Sequence, residues 1–304
     1  MVIFMRIGYA CINQSIGCTS SSTFRLKSYS EDRLIETVQN NLNCLMKILE
    51  YNVQNNILLF RVTSDLVPFA SHPICTFDWQ SHFKSQFSKI GEFAKTNGMR
   101  LTMHPGQYTV LNSNNIGVVQ NSIRELQYHS DMMNLLEMDN SGKIQIHVGG
   151  VYGDKETALQ RFISSYKMLD DSVRQRLIIE NDEKSYSLQD CIRISHDVGV
   201  PVVFDTLHHE TNNNGESLHS SLSLMSTTWA NDDGIPLVHY SSQEFGSRPG
   251  KHAALLDTIH FSNFLKESSE FDFDVMLEIK SKEIAANSAI ELAKKDTRFI
   301  KRNN

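Results

Sequence analysis

The sequence lacks any long apolar run. No stretch of 18 or more apolar residues occurs in its 304 residues, and the first residues, MVIFMRIGYACINQ, lack the charged, apolar and small-residue order of a secretory signal. We therefore expect a protein that is cytoplasmic or nuclear, is not secreted and has no membrane partner. With 40% hydrophobic and 21% charged residues, the composition is typical of a globular protein with a large core.

Cysteine is scarce and unpatterned. The five cysteines are Cys11, Cys18, Cys44, Cys75 and Cys191, and none of them forms a CxxC pair. An odd number without motif spacing argues against a zinc–thiolate site and against a disulfide framework. We expect all five to be reduced thiols that serve as small core residues.

The sequence also lacks an excess of basic residues. It has 29 Lys and Arg against 35 Asp and Glu, a formal net charge of -6. A protein that binds duplex DNA normally shows a basic excess, so the charge is weak evidence against a nucleic-acid partner. Carboxylates that hold divalent cations reverse the sign of the local field, so this evidence does not exclude DNA.

No linker rich in proline or glycine divides the chain, so we predict a single domain over 1–304. Eight apolar runs rich in Val, Ile and Leu predict strands buried on both faces. The predicted strands cover 5–11, 56–64, 99–106, 143–150, 176–182, 200–206, 235–241 and 274–280, and the predicted helices cover 31–51, 81–97, 117–138, 154–170, 187–197 and 283–295.

Two connections have less regular sequences than the others, 207–234 and 243–251. Eight strands that alternate with eight crossovers nevertheless predict an α/β protein with a (β/α)8 TIM-like barrel. The alternative is a doubly wound open sheet, which would need a glycine-rich first turn. The segment CINQSIGC lacks the GxGxxG spacing, and the barrel is therefore favoured.

Six consecutive predicted strands end in a good metal ligand. These ligands are His104, His147, Glu180, Asp205, His239 and Glu278. Because the carboxyl ends of barrel strands converge on one face, we expect the six side chains to surround one pocket. His208 and His252 follow strand ends closely, and His72 lies in the loop after the second strand.

Imidazole and carboxylate ligands without thiolate suit Zn²⁺ or Mn²⁺. The ligands are too many for one tetrahedral ion, so we expect two or three divalent ions in each chain. Clusters of this kind bridge a phosphate, activate water and stabilise a departing oxygen. The pattern thus predicts a centre of two or three divalent ions at the carboxyl end of the barrel.

With these residues in view, the chain resembles the UV damage endonuclease family of DNA repair nucleases. The segments that carry the resemblance are GYACIN (8–13), RVTSDLVPFASH (61–72), MHPGQY (103–108), IHVGG (146–150), IENDE (179–183), FDTLHH (204–209), HYSSQ (239–243), GKHA (250–253) and LEIKSKE (277–283). The resemblance implies a metal cluster, usually Mn²⁺, and cleavage of damaged double-stranded DNA immediately 5′ to the lesion. It implies no obligate protein partner.

Carried over by position, the resemblance implies specific roles for single residues. Glu180 would bridge ions, with Asp205, His239 and Glu278 around one ion, His104 and His147 at a second, and His208 and His252 at a third. His72 would lie beside the scissile phosphate and join Glu180 and His239 as a catalytic residue. Gln107 and Tyr108 would wedge into the duplex, Tyr9 and Asn13 would line the lesion side of the groove, and Arg61, Arg248, Lys251, Lys280 and Lys282 could contact phosphates.

One position departs from the family pattern. A lysine commonly lies two residues before the histidine of the seventh strand, where it can be carboxylated to bridge metal ions. Here that position is Leu237. The departure bears on metal stoichiometry and catalytic efficiency more than on the class of reaction.

Three other functions remain open at this point. An apurinic endonuclease and a sugar isomerase would use a similar ring of ligands on a barrel, and a damage-binding protein with impaired catalysis would explain Leu237. Against the isomerase, Trp79 and Trp229 lie away from the strand ends. The basic tail 294–304 is interpreted as a solvated helix end, with DNA contact or nuclear targeting as the alternative.

Overall fold

The computed structural model describes residues 5–299. Eight parallel strands of four residues each close into a barrel in the order β1 to β8. They are β1 Ile7–Ala10, β2 Leu59–Val62, β3 Arg100–Met103, β4 Ile144–His147, β5 Leu177–Glu180, β6 Val202–Asp205, β7 Leu237–Tyr240 and β8 Asp274–Leu277. The predicted TIM-like barrel and all eight predicted strands are confirmed.

Within residues 5–299, ten α-helices connect or follow the strands. They are α1 Glu31–Gln54, α2 Trp79–Thr96, α3 Ile116–Leu135, α4 Lys155–Lys167, α5 Asp171–Arg174, α6 Leu188–Val198, α7 Thr206–Thr211, α8 Leu218–Ser226, α9 Thr258–Glu267 and α10 Glu283–Ala293. Side-chain caps mark several starts, as at α4, where Asp154 accepts from the backbone N–H of Thr157 at 3.1 Å. No helix within residues 5–299 is both long and apolar enough to cross a membrane.

All six predicted helices are confirmed, but the prediction missed α5, α7, α8 and α9. The connection 207–234, which reads as irregular, contains α7 and α8, each only two or three turns long. Ser217 caps α8 by accepting from the N–H of Ser220, and Asp257 caps α9. Short helices with many Ser and Asn residues carry little periodic signal, and their caps stabilise them more than their propensity does.

Alternate residues of each strand point into the barrel and form three layers. At the amino-terminal end, Arg100 donates to Asp274 at 2.9 Å across the barrel. Above this pair, an apolar layer packs together from six strands; its members are Ala10, Leu59, Ile178, Val203, Leu237 and Met276. Two residues further along β5 and β7, Glu180 and His239 belong to the layer at the carboxyl end. The barrel interior therefore carries polar groups at both ends and apolar side chains between them.

The cysteine prediction is wrong for two residues. Cys18 and Cys44 form a disulfide that closes a separation of 26 residues. Cys11, Cys75 and Cys191 are free, and of these Cys191 is buried as expected. Spacing alone could not reveal the bond, because Cys44 lies on α1 while Cys18 lies in the loop after β1, and only the fold brings the two thiols together.

The basic tail is only partly solvated. Lys294 and Lys295 are exposed, but the Arg298 side chain is buried and donates to the carbonyl oxygens of Ser268, Leu265 and Phe271. These carbonyls lie at and beyond the carboxyl end of α9, where a cation is favoured. The interpretation of this tail as a solvated helix end is therefore wrong at Arg298. Residues 300–304 lie outside the described residues.

Candidate metal centre

Glu180 lies at the centre of a cluster of ligands at the carboxyl end of the barrel. Within residues 5–299, three groups of side chains place their ligand atoms within 4.8 Å of one another, and Glu180 belongs to all three. The groups are His104, His147 and Glu180; Glu180, Asp205 and His208; and Glu180, His239 and Glu278. Seven of the eight metal ligands predicted from the sequence thus meet at one place.

Both carboxylate oxygens of Glu180 face imidazoles. Oε1 lies 2.8 Å from Nδ1 of His239, and Oε2 lies 3.3 Å from Nε2 of His147. His239 Nδ1 also lies 3.3 Å from Oε1 of Glu278. This geometry follows from the strand order, because β4, β5, β7 and β8 all end at the same face of the barrel.

His208 and His252 are oriented by hydrogen bonds to the backbone. His208 Nδ1 donates to the carbonyl oxygen of Asn181 at 3.0 Å, and His252 Nδ1 donates to the carbonyl oxygen of Glu278 at 2.8 Å. In each ring Nε2 is therefore the nitrogen left for a cation. The two rings lie 5.8 Å apart and both line the same cavity, so His252 lies beside the cluster although it belongs to none of the three ligand groups found within residues 5–299.

The cluster sets the protonation of its members in opposite directions. Burial, reinforced by the Arg61 cation, lowers the pKa of His239 to about 3 and that of His104 well below its usual value. Both rings are therefore neutral and have a lone pair to offer. Burial also opposes charge on His208, but the carboxylates of Asp205 and Glu180 outweigh it and raise the pKa of His208 to about 9.

The pKa values of the carboxyl groups in the cluster are also shifted in opposite directions. Burial raises the pKa of Glu180 and raises that of Asp205 to about 7. Burial acts in the same direction on Glu278, but the adjacent Arg61 cation and the neighbouring imidazoles of His239, His252 and His104 together outweigh it and hold the pKa of Glu278 well below its usual value. Without a cation, this site therefore retains protons at neutral pH that a bound divalent ion would displace.

Arg61 lies among the metal ligands inside the barrel, whereas the sequence suggested a contact with a DNA phosphate. Its guanidinium is buried inside the barrel, 2.7 Å from Oε1 of Glu278, 3.0 Å from Nε2 of His239 and 3.0 Å from Oε1 of Gln145. The expectation that Arg61 primarily contacts a DNA phosphate is therefore wrong. The signal for this placement was present in the alternation of β2, because Arg61 follows the inward-facing Leu59 by two residues.

Two further residues support the ligands and were missed. Gln145 lies two residues before His147 on β4 and donates to Oε2 of Glu180. The side chain of Asn181 forms two hydrogen bonds with the backbone of Asp205, at 3.1 and 2.9 Å, and so ties the end of β5 to the end of β6. In a sequence, Gln145 and Asn181 look like any other neutral polar residues. The one signal for a role in the site was the position of Asn181 directly after a strand.

The donor set fits divalent cations. Nδ1 of His104 and Oδ2 of Asp205 are buried atoms without a hydrogen-bond partner. Unpartnered buried polar atoms are costly, and a metal ion would satisfy such atoms. A cavity of about 400 Å³, lined by residues that include His104, His147, His208, His252 and Glu278, leads from the cluster to the surface.

The loop after β3 carries two side chains to the rim of this cavity. Pro105 and Gly106 turn the chain directly after His104, and Gln107 lines the cavity with an exposed side chain. Tyr108 follows with 82% of its side chain exposed. An aromatic ring so free of protein contacts is available to stack on a ligand.

A model of the family described as UV-endonuclease UvdE matches residues 5–303. The chain belongs to the UV-endonuclease UvdE family. It is 41% identical over 292 residues to a UV DNA damage endonuclease of Clostridium perfringens (strain 13 / Type A), over 95% of this chain and 71% of that protein. A crystal structure of SacUVDE matches with a TM-score of 0.92 and 44% identity, over 96% of this chain and 98% of that one.

More distant structures share the barrel alone. A D-tagatose 3-epimerase-like protein matches with a TM-score of 0.62 and 14% identity, over 95% of this chain and 96% of that chain. At that identity the likeness concerns the fold, and it carries no argument for sugar chemistry in this UvdE-family chain.

Three site residues expected for the UvdE family lie outside the cluster. His72 is exposed and belongs to none of the three ligand groups found within residues 5–299; its Nδ1 accepts from the N–H of Ile74 at 3.0 Å. Tyr9 and Asn13 are buried, and Asn13 donates to the Tyr9 hydroxyl, which donates to Asn52 at 2.8 Å. Tyr9 and Asn13 are thus enclosed by the protein, and their place on the lesion side of the groove stays a prediction.

Proposed function

We propose that this protein is a DNA repair endonuclease that nicks duplex DNA immediately 5′ to UV photoproducts, both cyclobutane pyrimidine dimers and 6-4 photoproducts. Abasic sites are a further substrate. The nick leaves a 3′-hydroxyl and a 5′-phosphate. The observation that carries the proposal is the place of Glu180, which is shared by three ligand groups directly beneath a rim that exposes Gln107 and Tyr108.

The ligand set suits the hydrolysis of a phosphodiester. Two or three divalent ions, with Mn²⁺ preferred over Zn²⁺, would be held by the eight ligands and would supply charge stabilisation and an activated water at the phosphate. The chain itself holds Glu180 against His147 and His239, and it keeps His104 and His239 neutral in a buried site. His72, on the exposed loop after β2, is proposed to reach the scissile phosphate.

The rim suits a damaged duplex. A photoproduct weakens base pairing and stacking, so its bases leave the helix at a lower cost than undamaged bases do. The exposed ring of Tyr108 and the amide of Gln107 lie at the cavity mouth, where they can fill the space that displaced bases leave. Damage is thus recognised next to the position at which the strand is cut.

The test is a nicking assay on an end-labelled duplex with one thymine dimer, beside an undamaged and an abasic duplex. Each duplex is incubated with Mn²⁺ and with EDTA. We expect a Mn²⁺-dependent cut directly 5′ to the dimer and none in undamaged DNA. Cutting at the abasic site alone would assign the protein to the apurinic endonucleases, and dimer binding without a cut would indicate a damage-binding protein with an impaired metal centre.

Two variants separate catalysis from recognition. Glu180→Gln removes a carboxylate shared by all three ligand groups, so we expect it to abolish nicking while dimer binding persists. Glu156→Gln is the matched control, because Glu156 lies on α4 and pairs with Arg193 away from the barrel mouth. Full activity in Glu180→Gln would refute the assignment of the centre.

A further inference from the structure

Two exposed aromatic side chains lie on loops that follow opposite strands of the barrel. Among the large hydrophobic side chains of residues 5–299, Phe245 is the most exposed, at 102% of its reference area, and Tyr108 follows at 82%. Tyr108 lies in the loop after β3 and Phe245 in the loop after β7. In the closed order β1 to β8, three strands separate β3 from β7 on either side, so the loops are diametrically opposed.

The segment that carries Phe245 is a hairpin with a defined base. Gln243 pairs with His252 in an antiparallel bridge, and the N–H of Glu244 donates to the carbonyl of Lys251 at 2.8 Å. The Gln243 amide then crosses the loop, because it donates to the carbonyl of Arg248 at 2.9 Å and accepts from the N–H of Gly250 at 2.8 Å. The tip is therefore held by internal hydrogen bonds while the Phe245 ring points away from the protein.

The same hairpin is joined to the metal centre. His252 at its base lines the cavity, and its Nδ1 donates to the carbonyl of Glu278, a proposed ligand. On the other side, Lys280 pairs with Glu244 at 2.8 Å and connects the hairpin to the loop after β8. The position of Phe245 is thus set relative to the place at which the phosphate would be cut.

The charges beside Phe245 match a nucleic acid. Arg248 and Lys251 are exposed on the same hairpin, although the chain as a whole has a net charge of -6. An exposed aromatic ring on the same segment as exposed cations is the combination that binds unpaired bases and their phosphates. A second copy of this chain would present only a diffuse net charge of -6 to these cations, whereas duplex DNA carries one negative charge per about 1.7 Å of helix axis, so damaged DNA is the better occupant.

We propose that Phe245 is a second base-stacking residue, which stacks on an unpaired base of damaged DNA on the side of the metal centre opposite to Tyr108. The proposal rests on the proposed function. The two rings would hold the distorted DNA at two points, with the scissile phosphate between them. Arg248 and Lys251 would contact the backbone beside the stacked base.

The experiment compares wild-type protein with Phe245→Ala, Phe245→Trp and Tyr108→Ala. The control is Met168→Ala, since Met168 is 73% exposed but follows the carboxyl end of α4, at the opposite end of the barrel from the mouth. Binding to a thymine-dimer duplex and to an undamaged duplex is measured by fluorescence anisotropy in EDTA. The enzyme concentration that gives half-maximal nicking is measured in Mn²⁺.

We expect Phe245→Ala to weaken binding to the dimer duplex by roughly five- to hundredfold, as expected for the loss of one base–aromatic stack. Binding to the undamaged duplex should stay within about twofold, since paired bases do not reach the ring. Phe245→Trp should restore dimer binding, and the thermal unfolding midpoint should not change in any Phe245 variant because the ring packs against no protein.

The alternative outcomes are distinct. Unchanged dimer binding in Phe245→Ala, or an equal loss on both duplexes, would overturn the stacking role while the proposed function stands. A protein dimer in sedimentation that Phe245→Ala converts to monomers would also overturn it. If the wild-type protein neither prefers the dimer duplex nor nicks it, the proposed function itself fails, and the stacking role fails with it.

Discussion

Leu237 and His239 point from β7 into the same barrel, yet they lie in different surroundings. Leu237 is 1% exposed and packs against apolar side chains of neighbouring and opposite strands, including Leu59 and Ile178. His239 lies one layer higher, with its Nδ1 2.8 Å from Glu180. A side chain at position 237 longer than leucine would extend toward the ligands from below.

Leu237→Lys is predicted to destabilise the metal-free protein. A lysine in this apolar layer loses its hydration, and we expect a loss of about 3 kcal/mol in the free energy of unfolding. Mn²⁺ with bicarbonate should offset part of the loss, because a carboxylated lysine supplies an oxygen to the cluster. Urea unfolding with and without Mn²⁺ measures this, and Leu237→Met, with an expected cost below about 1.5 kcal/mol, is the control.

Arg61→Met is predicted to destabilise the protein and to make its stability depend more strongly on metal. The variant leaves Glu278 without the guanidinium that lies 2.7 Å away, and breaking a buried pair costs on the order of 3 kcal/mol. Saturating Mn²⁺ should reduce this loss because it restores positive charge beside the carboxylate. The exposed Arg248→Met should change unfolding by less than about 0.5 kcal/mol. Equal stabilities of Arg61→Met and wild type in EDTA would contradict the arrangement.

Metal binding is predicted to release protons and to strengthen with pH. In the absence of a cation, the pKa of His208 is raised to about 9 and that of Asp205 to about 7, so both groups hold protons that a divalent ion must displace. Since the bound state favours the deprotonated groups, affinity should rise between pH 6 and 9, on the order of tenfold per pH unit for each proton released. Calorimetry in two buffers with different ionisation enthalpies measures the release. Identical heats in both buffers would contradict the prediction, and His208→Gln should release fewer protons.

Reduction of the Cys18–Cys44 disulfide is predicted to lower the thermal unfolding midpoint. The bond closes a separation of 26 residues, for which the chain-entropy model gives about 3 kcal/mol. Cys18→Ser should show the lower midpoint from the start and no further change with dithiothreitol. Cys75→Ser is the matched control because Cys75 is a free thiol. An unchanged midpoint in Cys18→Ser would show that the bond contributes no stability.

Much of the barrel and of the ligand set was predictable from the sequence, because both rest on periodic signals. Strands buried on both faces are nearly continuous in apolarity, and a charged or imidazole side chain at the end of such a run is conspicuous. Three of these ligands are the last residue of a four-residue strand, namely His147, Glu180 and Asp205, and His239 is the third residue of its strand. Their convergence followed from strand order alone.

The remainder depends on contacts that no local pattern reports. Arg61 and Arg248 both look like strand-end cations, yet the first is enclosed by the cluster and the second is exposed. Tyr9 is buried because its hydroxyl donates a hydrogen bond to Asn52 on α1, which is 43 residues away in the chain. Arg298 is buried for the same kind of reason, since its partners lie about 30 residues earlier. Side-chain partners at such separations decide exposure, and they appear only once the chain is folded.

The apolar layer between the two charged ends of the barrel interior is a medium of low dielectric constant. Arg100 and Asp274 form their pair on one side of it, and Glu180 with its imidazoles lies on the other. Because an apolar medium screens charge far less than water does, cations that arrive at the mouth raise the electrostatic potential at the ion pair at the base. The end of the barrel that gains and loses cations is thus coupled, through this layer, to the end that holds the strands together.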